Sequence, residues 1–153
     1  MLYRLCNLTN VPVKEVALTD VATDMWAYEA IKMMAGQEVI LAKDGLFRPD
    51  DPITRGEAVR ALAMLLGRSP TGHSSFSDCQ DYVYDGYLAV MEQLEIAQGY
   101  PDHTFRPEQS LTRAEMVSLV NRTVGKEEAD VPSTFDDLKE EHWARKAIMA
   151  AAK

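Results

Sequence analysis

Apolar residues recur at helical spacing in two kinds of stretch along the chain. Trp26, Ala27, Ala30, Ile31 and Met34 form one stripe, behind the capping candidates Thr23 and Asp24. Ala58, Val59, Leu62, Leu65 and Leu66 form a second, which ends at Gly67. The segment between them, residues 39–52, is rich in Asp, Pro and Gly and lacks the alternation that a strand needs, so it reads as a loop with room for a short extended pairing. The pattern predicts helix, long loop, helix.

That unit repeats. Shifting residues 18–67 by 58 places them on 76–125 without a gap and gives 11 identities in 50. They include Asp20 with Asp78, Phe47-Arg48-Pro49 with Phe105-Arg106-Pro107, and Thr54, Arg55 and Glu57 with Thr112, Arg113 and Glu115. A shift of 117 then superposes Asp20, Trp26, Ala27, Ala30 and Ile31 on Asp137, Trp143, Ala144, Ala147 and Ile148, and Met1 to Asn7 resembles the tail of a second helix. The chain is therefore read as one mainly α domain of tandem helix-loop-helix repeats of about 58 residues. The expected boundaries are 1–17 for a preceding repeat's tail and linker, 18–67 and 76–125 for whole repeats, and 135–153 for a truncated one. Residues 68–75 and 126–134 carry Pro, Gly, Ser and charge and read as linkers.

Two motifs carry candidate chemistry. In Thr54-Arg55-Gly56-Glu57 and Thr112-Arg113-Ala114-Glu115 the Thr can cap the third helical amide while the Glu reaches back to the cap amide, a capping box. This accounts for Thr54, Thr112, Glu57 and Glu115. Arg55 and Arg113 are different, because a cation in the first turn faces the positive end of the helix dipole at a cost of about a few tenths of a kcal/mol. Either a carboxylate or phosphate ligand, met by free helix amides and a guanidinium fork, or an inter-repeat salt bridge would explain them. Asp20 and Asp78 stand six residues before Trp26 and Tyr84. Capping or turn formation is the reading for the acids and core packing for the rings, with stacking of a ring on a sugar face as the alternative.

Composition narrows the function. Twenty-four acidic against 16 basic side chains leave a net charge of -8, which repels phosphate backbones and argues against nucleic acid. No stretch approaches roughly 18 apolar residues, so no membrane insertion is expected, and Met1 to Asn7 hold no apolar run long enough for a secretory signal. Cys6 and Cys79 make neither a disulfide framework nor a zinc pair and read as buried apolar residues. His73, His103 and His142 have no ligand spacing, the loop acids do not fit an EF-hand, and no nucleophile elbow or phosphate loop is present. The sequence predicts no enzyme, no metal and no cofactor.

The phrase Gly99-Tyr100-Pro101-Asp102-His103-Thr104-Phe105-Arg106-Pro107, followed by Leu111-Thr112-Arg113-Ala114-Glu115, resembles the S-layer homology repeat, as does Phe135-Asp136-Asp137 leading into His142-Trp143-Ala144. The resemblance covers nearly the whole chain. It implies a pseudo-threefold helical arrangement with grooves between repeats that bind secondary cell-wall polysaccharide, commonly bearing pyruvylated sugars. It also implies a location at the bacterial surface or wall, with self-association or another envelope protein as the competing partner. The family's ligand-contacting Arg maps onto Arg55 and Arg113, and its Gly-Tyr onto Gly99 and Tyr100. Three departures stand out: Gly56 in place of Ala, Leu41-Ala42 in place of Gly-Tyr, and Tyr84-Asp85-Gly86 in place of Trp and an Ala-rich turn.

Overall fold

The computed structural model describes residues 12–126, 133 and 135–152. Among these residues it is helical, with α1 (Tyr28–Gly36) and α2 (Arg55–Leu65) from the first repeat, α3 (Asp85–Gln93) and α4 (Arg113–Thr123) from the second, and α5 (Arg145–Ala151) from the third. The tandem helix-loop-helix architecture is thus as expected. The Met1–Asn7 tail, Cys6 and most of the 126–134 linker lie outside the described residues. The extended pairing in the loops reduces to isolated bridges, Lys43 with Leu46 and Thr54 with Ser110. No helix among the described residues is long and apolar enough to cross a membrane.

The second helix of each repeat starts and stops on strong local signals. Thr54 and Thr112 close complete capping boxes with Glu57 and Glu115. Gly67 and Gly125, at φ 65° and 63°, turn the chain out of the helix so that the Arg68 and Lys126 amides reach back to Ala63 and Asn121, each at 2.9 Å.

The first helices begin without such a signal, and here the structure corrects the sequence. Ala27, Tyr84 and Ala144 hold the cap positions with no side-chain cap, so Thr23 and Asp24 do not cap α1. Turns precede the helix, with the Met25 amide bonded to Ala22 and that of Tyr28 to Met25. They leave Trp26 outside the apolar stripe and 97% exposed rather than in the core. Helix starts at residues 28 and 85 are 57 apart, whereas the caps at Thr54 and Thr112 are 58 apart. The second repeat therefore has one residue fewer before its first helix. It recovers one in the following turn, where Tyr100 reaches Thr104 while Lys43 reaches only Leu46. The counterpart of Trp26 and Trp143 is accordingly Val83, also exposed, and Tyr84 is the cap residue behind it.

Packing interleaves the repeats. α2 packs on α3, α4 on α5, and α2 on α4, so each second helix is covered by the first helix of the repeat that follows. The main core gathers Val59 and Leu62 of α2, Leu88 and Met91 of α3, Leu119 of α4 and the loop residue Phe105. Phe105 is fully buried, its ring 5.1 Å from that of Phe76. Cys79 is buried in the same cluster, and its thiol is pushed up to about 12 by burial and by the neighbouring Asp78 charge.

The 68–75 segment is fastened rather than loose. The Thr71 amide bonds to the Gly86 carbonyl at 3.0 Å. Asp85, 4% exposed, accepts from the Ser74 amide at 3.1 Å, the Ser74 hydroxyl at 2.5 Å and His73 Nδ1 at 2.8 Å. The unusual Asp85-Gly86 pair is thus the hook that opens α3 in place of an Ala-rich turn.

Candidate functional site

The loop between the two helices of a repeat is held open by an acid far upstream. Asp78 accepts from the amides of Phe105 and Arg106, each at 2.8 Å, and Asp20 does the same for Phe47 and Arg48 at 2.9 and 2.6 Å. Neither acid caps its own helix, as the sequence had suggested. Each supports the Phe-Arg-Pro motif, whose arginine adopts φ near 59° or 58°. The Phe47 and Arg48 amides hold the Asp20 carboxyl below its ordinary range. Burial opposes the Asp78 charge, but the two amides prevail and its carboxyl is also lowered.

Arg55 settles the choice left open by its sequence. Its side chain is 8% exposed, and Nη1 lies 2.8 Å from Glu115 Oε1 of the next repeat's capping box. Nε donates to the Phe105 carbonyl at 3.0 Å and Nη2 to that of Gln98 at 3.4 Å. The guanidinium also lies over the Phe105 and Tyr100 rings, at 4.6 and 5.0 Å from their centroids. The inter-repeat salt bridge is therefore real. The helix amides expected to be free are occupied: those of Arg55 and Gly56 donate to the Gln109 and Pro107 carbonyls, each at 2.9 Å. Gly56 is required by the same junction, because a Cβ there would overlap the Tyr82 hydroxyl.

This junction forms the wall of a cavity of about 480 Å3 between the second and third repeats. The loop contributes Gln98, Gly99 and Tyr100, α4 contributes Glu115, Ser118 and Arg122 beneath the Thr112 cap, and Trp143 closes the far side. The Tyr100 hydroxyl donates to Glu115 at 3.1 Å, and the Thr112 amide and hydroxyl donate to the other Glu115 oxygen, each at 2.8 Å. Burial works against the Glu115 charge, yet the Thr112 bonds and the Arg55 guanidinium outweigh it and hold its carboxyl below the ordinary value. Burial likewise raises the Tyr100 phenol. Both groups are thus held in one protonation state at neutral pH, and Glu115 is neutralised in place by Arg55. Gly99 has a packing reason as well, since a Cβ would come within 2.5 Å of Phe76 and 2.7 Å of the Thr104 carbonyl.

Of the residues singled out by sequence, the cavity collects Arg55, Gly99, Tyr100, Thr112 and Glu115. The others lie elsewhere. Asp20 and Asp78 serve the loops; Trp26 stands on the surface; Thr54, Glu57 and Tyr84 belong to the junction of the first and second repeats. Arg113 is exposed and lines a separate hollow of about 350 Å3 with Phe135, Asp137 and His142. Arg122, Ser118 and Gln98 were not anticipated as site residues. Arg122 had a signal, because it follows Glu115 by seven residues and so shares its helix face, where the first repeat has Met64. The neighbouring Asn121 is 6% exposed and its amide donates to the Ala147 carbonyl at 2.7 Å.

Chemically, the groove offers the Arg122 guanidinium, the Arg55 guanidinium already paired with Glu115, a flat indole 64% exposed and several fixed polar atoms along one wall. That combination suits a small anion carried on an apolar-faced ring.

Comparison with known proteins places the fold in a family. The S-layer homology domain matches residues 17–59 and 75–117, together more than half of the chain. A cellulosome-anchoring protein of Acetivibrio thermocellus is 30% identical over 141 residues, which cover 87% of this chain and 32% of the relative. An uncharacterized cell wall amidase of Bacillus anthracis is 29% identical over 157 residues, covering 95% and 29% respectively. The S-layer protein sap of Bacillus anthracis is 26% identical over 132 residues, covering 82% and 16%. The chain thus spans about a third or less of the length of these relatives.

Proposed function

Because the chain belongs to the S-layer homology domain family, whose modules anchor proteins at the cell surface, we propose that it holds its parent protein on a bacterial wall by binding an anionic secondary cell-wall polysaccharide, pyruvylated on its sugars. The single observation that carries the ligand class is the wall of the 480 Å3 groove, lined by Arg122 and by Arg55 in its pair with Glu115 and flanked by Trp143. A carboxylate on a sugar ring meets the Arg122 guanidinium as a charge-assisted acceptor, beside the Arg55–Glu115 pair, while the ring's apolar face lies against the indole. Tyr100 and Glu115 position Arg55, and Gly99 lets the loop approach closely enough to form the wall. The function is adhesion and not catalysis, and the location is the cell surface or wall.

The test is co-sedimentation of the chain with wall sacculi before and after acid removal of the polysaccharide. Binding that disappears with the polysaccharide supports the reading; binding that persists on stripped walls overturns it.

A second reading, protein interaction or self-association, is favoured by Trp26, 97% exposed, and Val83, 80% exposed. Its signature is a light-scattering mass that rises with concentration and reverts in a Trp26→Ser variant.

A further inference from the structure

The groove between the second and third repeats has a counterpart between the first and second, and that counterpart is filled by the protein itself. Arg60 and Ser118 occupy the same helix position, six residues after the Thr54 and Thr112 caps. Arg60 is 8% exposed. Its Nη1 donates to the Glu38 and Val39 carbonyls at 2.8 and 3.1 Å, and its guanidinium lies 5.4 and 5.6 Å from the Tyr84 and Tyr87 ring centroids. Ser118 instead turns its hydroxyl back onto the Ala114 carbonyl at 3.0 Å and leaves the space above it empty.

The volumes follow from that exchange. Leu41, Glu57 and Arg60 enclose about 20 Å3 at the first junction, whereas Gln98, Glu115 and Ser118, their equivalents, border about 480 Å3 at the second. A space of about 20 Å3 has room for roughly one water, so no sugar ring enters there. What remains open at the first junction is a hollow of about 470 Å3 on the loop side, lined by Lys43, Asp44, Leu46, Arg48 and Glu57, with no aromatic face among them. The helix arginine has in effect moved by one turn. The first repeat places Arg at position 60 and Met at 64, and the second places Ser at 118 and Arg at 122. From its outer position Arg122 reaches the Ile96 carbonyl, the equivalent of Val39, at 3.4 Å and leaves the floor of the groove clear.

We propose that the residue at this helix position, Arg60 or Ser118, decides whether an inter-repeat groove is open, so that these repeats carry one glycan site and a second junction plugged by Arg60. The proposal rests on the glycan reading above and fixes its stoichiometry and its specificity-determining residue. Calorimetric titration with a synthetic pyruvate-ketal glycoside tests it. Wild-type chain saturates at one probe per chain. Ser118→Arg, which transplants the plug, lowers affinity by about tenfold or more with unchanged helical circular dichroism. Ser118→Gln is the smaller occluder if the Arg variant does not fold, and also weakens binding. Arg60→Ser leaves the affinity of the open groove as it was. Saturation at two probes per chain, or wild-type affinity in folded Ser118→Arg and Ser118→Gln, overturns the proposal. A wild-type chain that binds neither probe nor walls overturns the glycan reading itself, and with it the site that position 118 is said to control.

Discussion

Arg55, in the first turn of one repeat, is ion-paired at 2.8 Å with Glu115, in the first turn of the next. Arg55 is the first residue of α2 and Glu115 closes the α4 capping box, so the pair couples the two helix starts and builds the groove wall. Removing one member leaves the other buried and uncompensated, at a typical cost of about 3 to 5 kcal/mol. Arg55→Ala is therefore expected to lower thermal stability strongly, and Arg55→Lys to recover only part of it because an ammonium cannot make the Nε contact to Phe105 while reaching Glu115. Thermal melts of the two variants check this; a melting temperature unchanged in Arg55→Ala contradicts it.

Acid should weaken the fold in a defined direction. The Glu115, Asp85 and Asp78 carboxyls all lie below their ordinary values in the folded chain. Their contribution is fully present above the unfolded values of 4.5 and 3.8 and is lost as pH falls through the lower folded ones. Melting temperature should hold steady from neutral pH to about 5 and fall below about 4. A melting temperature that stays level down to pH 3 contradicts the assignment.

The junction also explains a glycine. Replacing Gly56 by Ala, the residue of the second repeat, drives a Cβ into Tyr82, whose ring carbons would stand at 2.6 and 2.7 Å. The expected loss is about 1 to 3 kcal/mol, despite the gain in helix propensity. Trimming the ring in Gly56→Ala/Tyr82→Ala should make the two changes less than additive in chemical denaturation. Strict additivity would show that the two sites do not meet.

Asp85 holds the 68–75 segment to α3 through three hydrogen bonds. Asp85→Ala should cost about 2 kcal/mol or more, since bonds to a charged group are the stronger kind. It should also make that segment the first point of cleavage in limited proteolysis. An unchanged cleavage pattern would return the segment to the status of a plain linker.

Much of this was legible in the sequence, and the reasons differ by residue. The capping boxes are local and depend only on spacing, so Thr54, Glu57, Thr112 and Glu115 behave as their motif requires. Arg55 was conspicuous because it offends the helix dipole, but its partner lies 60 residues away and only packing identifies it. Trp26 and Tyr84 were paired by an ungapped comparison. One residue lost before α3 and regained after it leaves no trace in such a comparison, yet it moves Val83 into the tryptophan position. Arg60 reads as a polar residue on an apolar helix, and nothing local says that it folds inward over Tyr84. Arg122 sits in register with Glu115, but only the position of α5 turns that face into a groove.

The groove also separates the two arginines that the repeats equate. Arg122→Ala, at the edge of the cavity, should reduce wall binding by about tenfold with little change in melting temperature. Arg113→Ala, in its separate hollow, should leave the affinity of this groove unchanged. The opposite order in a sedimentation titration would move the site to the Arg113 hollow.

The central claim is that the groove recognises the carboxylate of a pyruvylated sugar. Its most direct test is competition: chain bound to wall sacculi is challenged with a free pyruvate-ketal glycoside or with the same glycoside lacking the ketal. Release by the pyruvylated sugar alone is the predicted result. Equal release by both, or release by neither at concentrations that saturate the chain in solution, would contradict it.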